Sequence, residues 1–151
     1  MMMQMKLKFK INLTQSQKEA YEAAHSHKKY LTLVWSRQSG KSTLMKILCI
    51  EWLFNTNRTI AYVCRNYILA KKIYKDLIQY IPQEYIKQAN GSDLIIETIF
   101  GSTITFFSAE SGASLRGLTF NYLILDEFAF FKQEQTDGTN LWYDILYPTV
   151  K

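Results

Sequence analysis

The chain has 151 residues, of which 48% are hydrophobic and 21% are charged, and this composition is typical of one globular domain. Its formal net charge of +5 is compatible with a nucleic-acid partner but does not require one, because the 18 lysines and arginines are scattered along the chain. No stretch approaches the ~18 apolar residues of a membrane span, and residues 1–10 lack the apolar core of a signal peptide. We therefore expect a soluble intracellular protein with no membrane partner.

The amino-terminal part of the chain predicts an arm, a helix and a strand. Within residues 1–12, the run 6–11 alternates basic and apolar side chains, which indicates an arm or a short edge strand. Thr14 and Gln17 have the spacing of a capping box, which predicts a helix that begins here and runs to about His25. The apolar, β-prone run Leu31–Trp35 predicts the first strand of a sheet.

In the rest of the chain, predicted strands and helices alternate. This order favours an α/β domain over residues 13–151, with a mainly parallel sheet flanked by helices. The helix that follows the first strand is apolar on almost every face and should be buried. In chain order we predict a helix at 44–54, a strand at 59–64, a helix that Asn66 caps and Pro82 stops, a hairpin of strands 94–100 and 103–108 around Gly101-Ser102, a loop at 111–118, a strand at 122–125 and a short helix near 141–146.

The segment between the first predicted strand and the next helix has the features of a phosphate loop. Backbone N–H groups in such a turn, and at the start of the helix after it, favour bound phosphate. Lys41 would reach the β- and γ-phosphates, and the Ser42 hydroxyl would be a magnesium ligand. The full pattern has a glycine where this chain has Trp35, and a chance Gly-Lys-Ser with a surface lysine is the alternative interpretation. The loop residues expected to bind nucleotide are Ser36, Arg37, Gln38, Ser39, Gly40, Lys41, Ser42 and Thr43.

An acidic pair, Asp126 and Glu127, follows the apolar strand predicted at 122–125. Ligands bind outside the carboxyl ends of strands in parallel sheets. Asp126 would hold magnesium through its water shell, because this ion keeps several waters and takes few carboxylates. Glu127 would orient and deprotonate the attacking water. An exposed acidic turn is the alternative, but the position of the pair after the phosphate loop, in the same series of strands and helices, favours catalysis.

Three further side chains are candidates for the same chemistry. A glutamine ahead of the phosphate loop can read the adenine edge, because its amide donates and accepts at once, and Gln17 has this position in addition to its capping role. Arg37 lies inside the loop, and Arg116 lies just before the acidic strand. Guanidinium groups stabilise charge on phosphate oxygens in the transition state of phosphoryl transfer, although an exposed arginine is more often only solvated.

Together these motifs resemble those of large terminase subunits, the DNA-packaging motors of tailed bacteriophages. The run Ser36–Ser42, without the first glycine, resembles their deviant Walker A motif. Leu123–Phe130, with Asp-Glu followed by Phe-Ala-Phe, resembles their Walker B strand, and Ser114–Gly117 resembles the Arg-Gly segment that precedes it. Gln17 matches their adenine-side glutamine, so the resemblance extends from about Leu13 to the end of the chain.

This resemblance implies a RecA-like, additional-strand P-loop ATPase that uses ATP and Mg²⁺ to translocate double-stranded DNA into a procapsid. Such motors act in the host cytoplasm as a homo-oligomeric ring on the portal protein, with the small terminase subunit as a partner. Arg37 and Arg116 become candidates for sensing nucleotide in the same subunit and for a finger that reaches the neighbouring subunit. Which arginine has which role stays open.

The chain departs from the family pattern at its end. Large terminase subunits continue into a coupling motif on the next strand and then into a nuclease domain, whereas this sequence stops at Lys151. We therefore expect an ATPase domain incomplete at its carboxyl end, without the nuclease domain and with an open, aggregation-prone sheet edge. Two other interpretations stay open: a helicase-type ATPase, and a non-catalytic nucleotide-binding or assembly module.

Overall fold

The computed structural model describes residues 12–27 and 29–150. The chain divides into two compact units between Leu44 and Met45. The arm or edge strand predicted for residues 1–12 lies outside the described residues, apart from Asn12. Among the helices of the described part, none is long and apolar enough to cross a membrane.

The first unit contains helix α1, Gln15–Ala24, and its capping box is confirmed. The Thr14 hydroxyl accepts from the backbone N–H of Gln17 at 3.3 Å, and the Gln17 side-chain oxygen accepts from the backbone N–H of Thr14 at 2.9 Å. Two N–H groups at the start of the helix are thereby paired. The position of the helix start was therefore correctly predicted by the side chains at 14 and 17.

The strand predicted at Leu31–Trp35 is wrong. Residues 30–36 have no regular secondary structure, and the side chains of Leu31 and Val34 are 42% and 89% exposed. A β-prone segment becomes a strand only when a neighbouring strand pairs with its backbone groups. The sheet formed by the described residues contains no strand from this segment, so the composition of the segment alone was a misleading signal.

Helix α2, Lys41–Leu53, begins in the first unit and continues in the second. It starts at the Gly-Lys-Ser turn, earlier than the predicted Leu44, because the loop leads directly into the first helical turn. Leu44, Leu48 and Leu53 are almost completely buried, as its nearly continuous apolar surface predicts.

The second unit is built around a five-stranded sheet in the order β2-β3-β4-β1-β5. Strands β4, β1 and β5 are parallel, whereas β2, β3 and β4 pair in antiparallel fashion, so the predicted α/β class is confirmed with a parallel centre and a hairpin flank. Strand β5 is last in the order, and the described residues place no strand along its other edge. The bounds are Thr59–Cys64 for β1, Ile86–Asn90 for β2, Ile95–Thr98 for β3, Thr103–Ser108 for β4 and Tyr122–Leu125 for β5.

Both faces of this sheet are covered within the second unit. On one face Trp52 of α2 stacks on Tyr122, with ring centroids 4.1 Å apart, and Tyr74 of helix α3, Tyr67–Ile78, packs edge-on against Phe106. The other face is covered by the 3₁₀ segment Ala109–Leu115 and by the π-helix Leu141–Leu146, which is followed by the single turn α4, Tyr147–Thr149. The buried core residues on this second face are Ala61, Val63, Ala109, Leu115, Phe120, Phe131, Leu141, Ile145 and Leu146.

The sequence prediction of the second unit is correct in most places. Asn66 caps α3 by accepting from the Leu69 N–H at 3.0 Å, and Gly101 turns the β3–β4 hairpin with φ 82°. Strand β2 and the 3₁₀ segment were not predicted. Strand β2 has few buried side chains and no clear alternation, and 3₁₀ turns leave little periodic signal.

Candidate functional site

The expected phosphate loop, residues 36–43, is a tight turn that ends in the first turn of α2. Gln38 and Gly40 have left-handed backbone conformations, with φ 58° and 83°. The Ser39 hydroxyl donates to the Ser36 carbonyl at 2.6 Å and closes the turn. Glycine adopts such a conformation freely, whereas a non-glycine residue there stores strain of about 1–2 kcal/mol, and such strain clusters at ligand-binding sites.

The Lys41 side chain folds back over this loop. Its ammonium group donates to the Trp35 carbonyl at 2.8 Å, and the residue is half-buried. The acceptor is a backbone oxygen, so the bond does not depend on the indole that stands in place of the usual glycine. The Lys41 side chain thus lies across the loop instead of extending into solvent from the helix surface, and its binding of phosphate stays a prediction.

The loop has the groups that an oxyanion and a hydrated magnesium ion need. The first N–H groups of α2 have no acceptor within the helix, and the helix dipole adds positive potential at this end. Ser42 and Thr43 are exposed in the first turn, so the Ser42 hydroxyl is accessible to a metal ion. Arg37 is also exposed in the loop. The donors and the charge therefore fit a phosphate ligand.

Gln17 contacts the phosphate loop inside the first unit. Its side-chain nitrogen donates to the Gly40 carbonyl at 3.0 Å, while its oxygen accepts from Thr14 in the capping box. The residue is only 6% exposed. A Cβ atom at Gly40 would lie 2.3 Å from the Gln17 side-chain nitrogen, so this contact requires glycine. The amide that was expected to read adenine therefore also ties α1 to the loop.

The acidic pair lies in the second unit, at the end of β5. The Asp126 N–H donates to the Val63 carbonyl at 3.0 Å, which extends the pairing of β5 with β1 by one residue. Asp126 is half-buried and Glu127 is exposed. Glu127 has φ 56° and ψ 41°, a left-handed conformation that glutamate rarely adopts. The expected catalytic carboxylate thus stands on a strained turn directly after the strand.

Tyr62 of β1 is a neighbour of the acidic pair that the sequence analysis missed. Its hydroxyl donates to Asp126 Oδ2 at 3.1 Å, and the residue is 1% exposed. Burial, and then the Asp126 charge, raise the pKa of this hydroxyl well above its ordinary value. Burial and the charges of Asp126 and Glu127 also raise the pKa of the Cys64 thiol, to about 12. In the sequence, Tyr62 is indistinguishable from the apolar residues around it.

Arg116 follows the 3₁₀ segment and is engaged with a nearby turn. Its guanidinium donates to Asp137 Oδ2 at 3.1 Å and to the Thr139 hydroxyl at 3.0 Å. Hydrogen bonds from Thr139, and then the Arg116 charge, hold the pKa of the Asp137 carboxyl below its ordinary value. The side chains of Arg116 and Asp137 are about half exposed, so the ion pair is open to exchange with another anion.

A cavity of about 370 Å³ lies after the acidic pair in the second unit. None of the residues expected to bind nucleotide or metal lines it. Its walls are mainly aromatic and amide side chains, from Phe128, Ala129, Phe131, Gln133, Asn140, Trp142 and Tyr143.

Comparison with known proteins decides the family. The sequence model of one protein family, described as "Terminase large subunit, T4likevirus-type, N-terminal", matches residues 32–138, which is more than half of the chain. The chain belongs to this terminase family. The match contains both the phosphate loop and the acidic pair, so the resemblance read from the motifs is confirmed. A comparison with curated proteins found no match.

Solved structures of a terminase ATPase domain share the fold. An arginine-to-alanine mutant of the large terminase ATPase domain of Thermus phage P74-26 matches with a TM-score of 0.70 and 20% identity, covering 86% of this chain and 58% of that one. A second structure of the same domain matches with a TM-score of 0.62 and 21% identity, covering 75% of this chain and 51% of that one. This terminase chain therefore spans little more than half the length of the structures it matches, and the RecA-like fold expected from the sequence is confirmed.

Proposed function

We propose that this terminase chain contains the ATP-binding and ATP-hydrolysing motor part of a large subunit, and that its activity drives double-stranded DNA into a procapsid. The observation that carries the proposal is the Lys41 ammonium, held 2.8 Å from the Trp35 carbonyl over a glycine turn. The family match over residues 32–138 supports the same assignment. Under this proposal, residues 13–151 belong to the ATPase domain.

The phosphate loop, residues 36–43, is proposed to bind the phosphates of ATP. Lys41 exchanges its bond to Trp35 for the β- and γ-phosphates, and the N–H groups of the loop and of the first turn of α2 donate to the same oxygens. Ser42 contributes a hydroxyl to Mg²⁺, which neutralises phosphate charge when bound. Gln17 reads the adenine with the hydrogen-bonding capacity of its amide that Thr14 and Gly40 leave unused.

The acidic pair and the two arginines are proposed to carry out hydrolysis. Asp126 binds the water shell of the metal ion, because magnesium keeps most of its waters. Glu127 accepts a proton from the attacking water and orients it. Arg37 and Arg116 stabilise the charge that develops on the phosphate oxygens, one in the same subunit and one in a neighbour. Membership of the terminase family supports interaction with DNA and a portal protein in general. We propose in addition that such subunits form a ring on the portal, with the small terminase subunit as the partner that recognises DNA.

ATP binding and turnover by the purified chain test this proposal. Lys41→Ala should weaken binding of a fluorescent ATP analogue at least tenfold, whereas Glu127→Ala should bind normally but lose turnover. Lys46→Ala is the matched control, because Lys46 lies on the same helix and pairs with Asp76 at 3.7 Å instead of lying in the loop. Turnover is measured with and without double-stranded DNA.

The results separate catalysis from simple binding. Binding that Lys41→Ala abolishes, without turnover above the level of Glu127→Ala, means that the chain binds nucleotide but does not hydrolyse it. If wild type and Lys41→Ala bind ATP equally, the phosphate-loop assignment itself fails. Stimulation of turnover by double-stranded DNA supports the translocation role, and indifference to DNA contradicts it for this chain.

A further inference from the structure

The parallel pairing of β1 and β5 places Tyr62 close to the proposed magnesium carboxylate. Tyr62 is opposite Ile124 in the register, and the Asp126 N–H donates to the Val63 carbonyl at 3.0 Å. Asp126 comes two residues after Ile124, so its side chain lies on the same face of the sheet as the Tyr62 side chain. This placement brings the Tyr62 hydroxyl to 3.1 Å from Asp126 Oδ2. Two adjacent strands therefore hold the donor and the acceptor.

The tyrosine ring is buried and packed against aromatic neighbours inside the second unit. Tyr62 is 1% exposed, and its ring centroid lies 5.4 Å from that of Phe106, which itself packs against Tyr74. Phenylalanine would fill almost the same volume, so packing alone does not require the hydroxyl. A buried hydroxyl without a partner is costly, and the partner this structure provides is a carboxylate, with which hydrogen bonds are stronger than with neutral acceptors.

We propose that Tyr62 is a positioning residue, whose hydroxyl holds Asp126 Oδ2 and thereby fixes the side-chain orientation in which Asp126 meets the hydrated magnesium ion. This role rests on the proposed function, because it assumes that Asp126 serves the metal. Carboxylates that ligate metal ions directly are hydrogen-bonded to outer partners, and loss of such a partner lowers metal affinity by roughly 10- to 100-fold. Because Asp126 acts through the water shell of the ion, we expect an effect at the lower end of this range. Tyr62 itself contacts neither metal nor nucleotide in this role.

Tyr62→Phe removes the oxygen and leaves the ring. In the full chain, the Mg²⁺ concentration that half-saturates the binding of a fluorescent ATP analogue should rise about tenfold, while the affinity without Mg²⁺ stays unchanged. Direct binding of Mn²⁺ in the presence of nucleotide, followed by its electron paramagnetic resonance signal, gives a second readout that needs no turnover. Tyr74→Phe is the matched control, since Tyr74 is also a buried tyrosine packed on Phe106 and is not the donor to Asp126 Oδ2.

A double-variant cycle tests whether Tyr62 acts through Asp126. In an Asp126→Ala background, Tyr62→Phe should cause no additional change in the Mg²⁺ dependence. An unchanged Mg²⁺ dependence in the single variant, or an equal additional loss in the Asp126→Ala background, would overturn the proposal. Failure of Tyr62→Phe to fold would also overturn it, because the hydroxyl would then serve the fold.

The same experiment distinguishes this inference from the proposed function. If Lys41→Ala abolishes nucleotide binding while Tyr62→Phe behaves as wild type, the positioning role alone is wrong. If neither Lys41→Ala nor Asp126→Ala changes nucleotide or metal binding, the proposed function fails, and the role of Tyr62 fails with it.

Discussion

The Gln17 side-chain nitrogen donates to the Gly40 carbonyl at 3.0 Å, so the start of α1 is tied to the glycine of the expected phosphate loop. Both residues were expected to bind nucleotide, but this bond between them was not expected. Because Gly40 has φ 83° and a Cβ there would reach 2.3 Å from the Gln17 nitrogen, the two positions constrain each other.

Gly40→Ala should destabilise the chain more than Gly138→Ala. Both glycines have φ above 80°, so both variants carry the strain of about 1–2 kcal/mol of a left-handed alanine. Nothing lies within 4 Å of a Cβ at Gly138, whereas at Gly40 the new methyl group displaces the Gln17 amide and breaks its hydrogen bond. The additional loss in free energy of unfolding should be about 1 kcal/mol, measured by urea denaturation. In a Gln17→Ala background this additional loss should disappear, and its persistence would contradict the explanation.

Gln17→Ala should weaken ATP binding, whereas Thr14→Ala should not. Both variants break the capping box and should lose about 1 kcal/mol of stability. Gln17→Ala additionally removes the bond to the loop and the amide proposed to read adenine. We expect a several-fold loss of ATP affinity and a smaller preference for ATP over GTP, measured by competition with a fluorescent analogue. Equal affinities in the two variants would mean that Gln17 serves only as a helix cap.

The sequence predicted those parts of the molecule whose signals are local. The capping box at Thr14 and the cap at Asn66 depend on side chains a few residues apart, and both are present in the structure. The strand predicted at Leu31–Trp35 failed because a strand depends on a neighbour, and neighbours are not encoded in the composition of the segment itself. The terminase family was identified from motifs whose order and chemistry survive even where the first glycine is replaced by Trp35.

The candidate site was only partly predictable for the same reason. The loop and the acidic pair are short motifs, whereas the bond from Tyr62 to Asp126 joins residues 64 positions apart and exists only through the pairing of β1 with β5. The bonds from Arg116 to Asp137 and Thr139 likewise depend on how a loop and a turn meet. Contacts of this kind require tertiary structure, so sequence motifs indicated the groups of the site without their immediate partners.

Trp35→Gly, which restores the usual glycine of the phosphate loop, should preserve ATP binding. The Lys41 ammonium contacts the carbonyl at this position, and glycine retains that carbonyl. We expect ATP affinity within about threefold of wild type, because glycine adds backbone freedom that must be lost on binding. Lys41→Ala serves as the reference for complete loss in the same binding assay. A loss in Trp35→Gly as large as in Lys41→Ala would show that the indole contributes to the site.

The Asp137 carboxyl should titrate below its ordinary pKa of 3.8 in the folded chain. Its lowered pKa stabilises the fold at pH values above the ordinary pKa, and this contribution is lost as pH falls through the lowered value. Because the hydrogen bond from the Thr139 hydroxyl is the largest cause, Thr139→Val, which removes this donor and keeps the backbone N–H, should raise the pKa more than Arg116→Gln does. Carbon-13 chemical shifts of the carboxyl group, followed across an acid titration, measure both effects. A larger shift in Arg116→Gln would reverse the assigned order of causes.

Glu127 stands on a strained turn, with φ 56°. Glu127→Ala and Glu127→Gly both remove the proposed catalytic carboxylate, so neither should hydrolyse ATP. They differ in the Cβ, which makes a left-handed conformation unfavourable for alanine and acceptable for glycine.

We therefore expect Glu127→Gly to be about 1 kcal/mol more stable than Glu127→Ala in urea unfolding, despite the greater entropy of glycine in the unfolded chain. The matched comparison is Glu134→Gly with Glu134→Ala, since Glu134 is also an exposed glutamate and is not among the residues with positive φ. There alanine should be the more stable residue. If alanine is the more stable residue at position 127 as well, the backbone there relaxes in the variants. Strain at Glu127 would then have no part in its proposed role.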